Sequence, residues 1–273
     1  METVWYSLLE REPRSAAENM AVDQFLLELV EAGRLAVPVL RTYAWVRPTL
    51  SLGYHQEWRR AVDPEALERH RVDLVRRWTG GRGVLHDPDE ITYSLTAPMQ
   101  EPFGNTVRHN YCAIGRALAR FTDLGMQQGR MTPEEESVEK VRQMRHTPCF
   151  ASLSRSEIEA GGKKMIGSAQ KLGRKAFIQH GSIPLYARFR ILEEITGTAL
   201  SMDRLMTSLS DHFAQAGLAL PPRKALEARL VTAFAESFGV TFRDFRETDL
   251  WDQGEIDRIT ETRFGDEAWT FRK

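Results

Sequence analysis

Residues 76–98 read RRWTGGRGVLHDPDEITYSLTAP, and the fold turns on how this stretch is divided. Val75 to Trp78 closes a short strand. Glu90 to Thr96 alternates, with Ile91, Tyr93 and Leu95 on one face and Thr92, Ser94 and Thr96 on the other, the period of a half-buried strand. Between them, Thr79-Gly80-Gly81-Arg82-Gly83 puts three glycines into four positions. Such a backbone reaches positive φ freely and lets a ligand come close. Arg76, Arg77, Arg82 and His86-Asp87 gather around it, and amides beside guanidinium groups suit a carboxylate, a phosphate or a carbonyl oxygen. The plainer reading is a tight hairpin with solvated arginines.

Upstream, Ser15-Ala16-Ala17-Glu18 has the form of a capping box. It opens a helix whose Val22, Phe25, Leu26, Leu29 and Val30 form a core face, with Gly33 as the stop. Asn19 and Asp23 lie four apart on one side of it, and spacing alone makes them a solvated flank. Val37 to Trp45 and Thr49 to Gly53 read as strands, and Asp63-Pro64 starts a short helix running to about His70.

Downstream, Asn105 can cap a helix with the stripe Val107, Tyr111, Ile114, Leu118 and Phe121, ended by Gly125. Residues 126–147 are polar and without period, a long surface loop or frayed helix of the kind that carries function. Ser156 to Ala160 and Lys163 to Gln170 are strands joined by Gly161-Gly162 as a two-residue turn, and Ala176 to Leu185 is a third. Beyond about residue 195 the pattern is helical. Leu205, Leu209 and Phe213 mark one helix, Leu226 to Phe238 a second, and Ile256 to Phe264 a third. The expected class is α+β, with a core over residues 1–195 and a helical extension over 196–273 packed on the same domain.

The 273 residues are 42% hydrophobic and 27% charged, enough for a real core, with a net charge of -1. That balance argues against a nucleic-acid binder, which needs a basic surplus. No run approaches a membrane span, the N-terminus lacks the apolar core of a signal peptide, and two cysteines without C-x-x-C spacing suggest neither a disulfide scaffold nor a metal site. The default compartment is a reducing cytoplasm.

Cys149 follows a proline, with His146 and several basic residues just before it, a setting that favours thiolate. It reads as a nucleophile or as an ordinary buried thiol. Cys112 sits beside a helical stripe and reads as packing. Lys164 precedes Met165-Ile166-Gly167-Ser168-Ala169-Gln170, where Gly167, Ser168 and Ala169 leave room for a ligand; otherwise it is a surface lysine. His180 is a core histidine or a site residue. No Walker loop, G-x-S-x-G elbow or H-E-x-x-H helix is present.

Three motifs in order carry a resemblance. Arg76-Arg77-x-Thr79-Gly80-Gly81-x-x-Val84-x-His86-Asp87 resembles the signature of the lipoate-protein ligase and octanoyltransferase superfamily. Gly162-x-Lys164-Met165-Ile166-Gly167-Ser168-Ala169-Gln170 with Gln179-His180-Gly181-Ser182-Ile183 resembles its lysine strand and the strand that follows. Asn19-Met20-Ala21-x-Asp23 resembles its first helix, and Glu267-Ala268-Trp269 also matches. Pro148-Cys149-Phe150 and the turn Gly80-Gly81-Arg82, in place of three glycines, make the chain most similar to the cysteine-dependent octanoyltransferases.

The resemblance implies a mixed, largely antiparallel sheet flanked by helices, as in class II aminoacyl-tRNA synthetases and biotin synthetases. It implies transfer of octanoyl from octanoyl-acyl carrier protein to a lysine of a lipoyl domain, such as the glycine-cleavage H protein, by a cytoplasmic monomer without cofactor or metal. Cys149 would be the nucleophile and Lys164 the oxyanion donor. Arg77, Thr79, Gly80, Gly81, Arg82, Gly83, His86, Gly167, Ser168, Ala169 and His180 would bind substrate, with His86 and His180 as candidate bases. The alternatives are an ATP-dependent lipoate-protein ligase, an octanoyl amidotransferase between lipoyl domains, and a module that merely holds an acylated partner.

Overall fold

The computed structural model describes residues 2–123, 130–131 and 158–272. β1 (Thr3–Leu9) leads into α1 (Ala16–Glu31). The Ser15 hydroxyl accepts from the Glu18 amide while the Glu18 carboxylate accepts from the Ser15 amide, closing the expected capping box. There follow β2 (Val39–Tyr43), β3 (Thr49–Leu52), α2 (Trp58–Ala61), α3 (Pro64–Arg69), β4 (Asp73–Arg76), β5 (Val84–His86), β6 (Ile91–Pro98) and α4 (Val107–Thr122). The second half comprises β7 (Arg130–Met131), β8 (Ile158–Ala160), β9 (Lys163–Leu172), β10 (Ala176–Ile183), α5 (Arg190–Thr196), α6 (Leu209–Gln215), α7 (Arg223–Phe238), β11 (Val240–Asp244), α8 (Gln253–Ile259) and α9 (Glu267–Thr270). A π-helical turn, Thr260–Phe264, continues α8.

The main sheet runs β11-β1-β2-β6-β10-β9-β8-β7. β11 and β2 flank β1 in parallel, and the pairs from β2 to β9 and beyond are antiparallel, as expected of a mixed, largely antiparallel sheet. α4 and α7 bury one face together with Ile91, Tyr93 and Leu95. α1 and α8 cover the other, so the period-2 pattern of β6 sends Thr92, Ser94 and Thr96 into a buried polar layer under α1. Beside it stands a small sheet, β4-β3-β5, backed by α3 and α5.

The stretch 76–98 is therefore not a hairpin. β4 pairs parallel to β3 and β5 antiparallel to β3, whereas β6 lies between β2 and β10 in the main sheet. The three residues Val84-Leu85-His86 find their own partner in β3, and the glycine turn becomes a loop inside the small sheet. Its arginines are not solvated: Arg76 is 0% and Arg77 2% exposed. Gly161 and Gly162 do form the tight turn between β8 and β9, both at positive φ.

Three further readings change. α4 is capped by Thr106, whose hydroxyl accepts from the His109 amide, and not by Asn105. Val107 of its stripe is exposed. The C-terminal part supplies a strand as well as helices, β11, whose five residues follow the left-handed Gly239 that ends α7. Of the long polar stretch 126–147, all but Arg130–Met131 lies outside the described residues. No helix among the described residues is long and apolar enough to cross a membrane.

Candidate active site

Where β9 and β10 pass the small sheet, the two sheets and α1 enclose a narrow cavity of about 20 Å³. Gly167, Ser168 and Ala169 of β9, His180, Gly181 and Ser182 of β10, Thr92 of β6 and Tyr43 of β2 form the main-sheet wall. Ser51, Val84, His86 and Arg77 form the opposite wall, and Met20 comes from α1. Of the residues singled out in the sequence, Arg77, His86, Gly167, Ser168, Ala169 and His180 line this cavity, whereas Thr79, Gly80, Gly81, Arg82, Gly83 and Lys164 are not on its wall. Cys149 lies outside the described residues.

Arg77 is the hub. Its Nε donates to Thr79 Oγ1 at 3.0 Å, its Nη1 to Ser51 O at 2.6 Å and Ser51 Oγ at 3.2 Å, and its Nη2 to Gly80 O at 2.7 Å and Arg82 O at 2.8 Å. Those contacts occupy all five guanidinium donors. They lock the glycine turn onto β3 and orient two hydroxyls, each of which meets an imidazole. Thr79 Oγ1 is 2.7 Å from His180 Nε2, and Ser51 Oγ is 2.9 Å from His86 Nε2. Each imidazole has a carboxylate behind it: His180 Nδ1 lies 3.4 Å from Asp23 Oδ2, and His86 Nδ1 2.6 Å from Glu90 Oε1. One chain of hydrogen bonds, Asp23–His180–Thr79–Arg77–Ser51–His86–Glu90, therefore bounds the cavity. An ionised carboxylate only accepts, so each imidazole carries a proton on Nδ1 toward its carboxylate, and each hydroxyl, which accepts from Arg77, can donate to Nε2.

Burial pushes the His180 imidazole down, opposed by Asp23 and reinforced by Arg77. Burial alone would raise the Glu90 carboxyl, yet His86, Ser182 and Thr92 outweigh it and hold the group below the ordinary carboxylate range. Asp23 is likewise held down against burial, chiefly by Arg41 and then by His180 and Ser94. Trp45 stacks on His86 at 4.2 Å and donates to Thr92 Oγ1 at 2.7 Å, fixing the ring's plane.

Asn19 and Asp23 are not a solvated flank; they are 0% and 4% exposed. Arg41, fully buried on β2, explains this. It donates to Asp23 at 2.7 Å, to Asn19 Oδ1 at 2.8 Å, to Asn19 O at 2.9 Å and to Glu10 at 2.9 Å. A buried guanidinium needs such partners, and helical spacing cannot reveal one on another element.

Glycine is needed at particular places: Gly81 takes a positive φ, and Gly53 at the end of β3 and Gly83 in the turn are closely packed. A Cβ on Gly53 would meet Gly81 O at 1.9 Å, and Gly83 lies against Leu50 and Gln56. Gly181, quoted in the second motif without a role, faces Tyr93 so closely that a Cβ would come within 2.5 Å of the ring. Tyr93 hydrogen-bonds Ser168 and Gln179, and burial pushes its hydroxyl up to about 12. Lys164 is no surface lysine: it is fully buried at the start of β9, three residues before Gly167, and its strand is pinned to Leu205 and Thr207 by backbone hydrogen bonds of 2.9 Å. Sequence reasoning also missed Ser51, Glu90 and Ser182 as site residues. The Thr92-x-Ser94-x-Thr96 alternation was the available signal for a polar layer, while Ser51 stands between two leucines with no signal.

Comparison with known proteins gives this arrangement a lineage. The family model for the lipoyl protein ligase A/B catalytic domain matches residues 15–251. The octanoyltransferase LipM of Exiguobacterium sp. is 33% identical, covering 99% of both chains, and that of Staphylococcus epidermidis is 31% identical over 100% of both. Among solved structures, lipoate-protein ligase A bound with ATP superposes with a TM-score of 0.78 at 18% identity, covering 99% of each chain. The bipartite lipoate protein ligase of Thermoplasma acidophilum gives 0.77 at 17% identity, covering 98% of this chain and 96% of its own. At such identities the structures speak for the fold, and the full-length relatives carry the family: the chain belongs to the lipoyl protein ligase A/B catalytic-domain family.

Proposed function

We propose that this chain is an octanoyltransferase of protein lipoylation, taking octanoyl from octanoyl-acyl carrier protein and delivering it to a lysine of a lipoyl-domain protein such as the glycine-cleavage H protein. Full-length similarity to octanoyltransferases supports the reaction class. The structural observation that carries the reading is Lys164, a fully buried lysine opening the strand that lines the cavity. Lysine is almost never fully buried unless its charge is paired, and an acyl-transfer site uses such a held ammonium group on the developing oxyanion.

The Cys149 thiolate attacks the carbonyl carbon of the octanoyl thioester, a new carbon–sulfur bond forms, and the carrier leaves as its thiol after taking up a proton. The acceptor's neutral lysine amine then attacks the Cys149 thioester. The amide forms as the Cys149 sulfur leaves, and the amine's proton goes to that sulfur or to solvent. Thioester to amide runs downhill, so ATP is not consumed. Lys164 stabilises the oxyanion in both steps, a contribution of about 3–4 kcal/mol for a donor of this kind. Residues 1–195 carry this chemistry, and 196–273, whose α7, α8 and β11 complete the sheet and its covering layers, belong to the same domain, acting as a monomer.

Intact mass after incubation with octanoyl-acyl carrier protein, without ATP or metal, tests the reading. One octanoyl should be added, on the peptide holding Cys149 and not on half-buried Cys112. The adduct should be labile to hydroxylamine and discharged by a lipoyl domain with ping-pong kinetics. Cys149→Ala should abolish it, and Lys164→Met, which keeps the buried volume, should slow transfer by at least about 100-fold. Wild-type transfer by the Cys149→Ala protein, or a strict requirement for ATP, refutes the mechanism.

A further inference from the structure

α7 begins against its own preferences. Its N-cap residue, Pro222, offers no side chain to the first amides, and no carboxylate stands in the first turn. The helix opens instead on two cations, Arg223 and Lys224, at the end where its dipole favours anions. Glu227 pairs with Arg223 from four residues later, the less favourable order for such a pair. Local rules broken without local gain mark a place where something outside the element is served.

Arg223 reaches two strands of the site. Its Nη1 donates to Glu90 O at 2.6 Å and its Nη2 to Tyr43 O at 2.9 Å, while its Nε donates to Glu227 Oε1 at 2.9 Å. The β2–β6 ladder ends at the pair Tyr43–Thr92. At that end the planar fork of one guanidinium spans a carbonyl from each chain. The grip comes from the face of the sheet that α7 covers, opposite the polar layer under α1. On the polar side, Tyr43 lines the cavity, and the Glu90 carboxylate gathers three more of its lining residues. Glu90 Oε1 accepts from Thr92 Oγ1 and from His86 Nδ1, and Oε2 accepts from Ser182 Oγ.

We infer that Arg223 is a positioning residue of the acyl-transfer site. By bridging the carbonyls of Tyr43 and Glu90 it sets where the Glu90 carboxylate stands, and through that carboxylate the orientation of His86, Thr92 and Ser182. Its effect on rate rests on the octanoyltransfer reading, whereas its effect on the Glu90–His86 bond can be read without turnover. A lysine in its place would keep the charge and lose the fork.

The experiment compares Arg223→Met, Arg223→Lys and Glu227→Gln in the full chain, with thermal melting to identify any variant that fails to fold. One readout is kcat/KM for octanoyl transfer from octanoyl-acyl carrier protein to a lipoyl domain. The other is the NMR resonance of the His86 Nδ1 proton, assigned by its loss in His86→Gln, which a 2.6 Å bond to a carboxylate moves far downfield. Arg223→Met should lower kcat/KM by about 100-fold, the cost of a misplacement of about 1 Å outside the chemistry, and should move the His86 resonance upfield. Arg223→Lys should recover part of both. Glu227→Gln, whose amide oxygen still accepts from Nε, should leave both near wild type. Where Arg223→Met does not fold, Arg223→Lys carries the test, with a lower rate and a moved resonance expected. An unmoved His86 resonance or a wild-type rate in a folded Arg223 variant overturns the inference. So does a loss in Glu227→Gln as large as in Arg223→Met, since the ion pair and not the bridge would then be responsible. If the wild-type protein transfers no octanoyl, the proposed reaction falls, and the resonance alone decides whether Arg223 positions Glu90.

Discussion

His180 shows how a residue can be buried without charge and still govern behaviour in acid. Its folded proton affinity lies below the ordinary histidine value of 6.5. As pH falls through 6.5 the unfolded chain therefore takes a proton before the folded one does, and stability drops by up to ~1.4 kcal/mol per pH unit. Glu10, Asp23 and Glu90 are depressed carboxylates; their contribution is complete above the ordinary carboxylate range and is lost as pH falls through their folded values. The His180 window opens first, at 6.5, and the carboxylate window opens below it. The urea midpoint should fall between pH 7 and pH 5, before the carboxylates titrate, and His180→Asn should flatten that part of the profile while leaving the steeper loss at lower pH. An unchanged slope in the variant would show that His180 is not the group titrating there.

At the scale of elements, the glycine turn and β3 make one unit, because the backbone of Gly53 lies where a side chain would strike Gly81 O at 1.9 Å. Backbone cannot swing aside as a flexible side chain can. Gly53→Ala should displace the turn, loosen Arg77 from its five acceptors and misplace both imidazoles. The expected result is a drop in octanoyl loading of at least about 100-fold, in line with the sensitivity of such sites to misplacement, with a lower melting temperature. Gly80→Ala is the control: nothing lies within 4 Å of its Cβ position, and it should melt close to wild type. This coupling was only half legible in the sequence. The glycines and arginines pointed to a special loop, but a hairpin and a loop between β4 and β5 have the same local pattern. Only β3, more than twenty residues earlier, decides between them. The periodicity of β6 correctly separated its two faces, whereas the apparent solvent exposure of Asn19 and Asp23 failed because Arg41 is invisible to helical spacing.

The whole molecule depends on contacts between distant parts of the chain. The capping box, the Gly161-Gly162 turn and the α+β class were readable because local chemistry fixes them. β11 was not, since five residues at the rim of a sheet are identified by the partner they find, β1, and not by their own pattern. The C-terminal segment has a second anchor. Arg76, fully buried on β4, gives its Nε to Thr270 O at 3.0 Å and its Nη2 to Arg272 O at 3.1 Å, while Trp269 Nε1 donates back to Arg76 O at 2.9 Å.

That arrangement sets a timetable for synthesis. β1 leaves the ribosome more than two hundred residues before β11, the strand that covers its outer edge, and until then a row of unpaired amides and carbonyls faces solvent. Arg76 waits equally long for two of its acceptors. A ribosome-bound chain stalled after Gly239 should therefore be cut within β1 or β2 by brief protease treatment and should bind a holdase chaperone. A chain stalled with residue 273 clear of the exit tunnel should resist the protease. Equal resistance in the two would mean that β1 holds its place without β11. Otherwise the nascent chain carries an open sheet edge from the emergence of β1 to that of β11, the interval in which two copies growing on one message are most able to pair with each other.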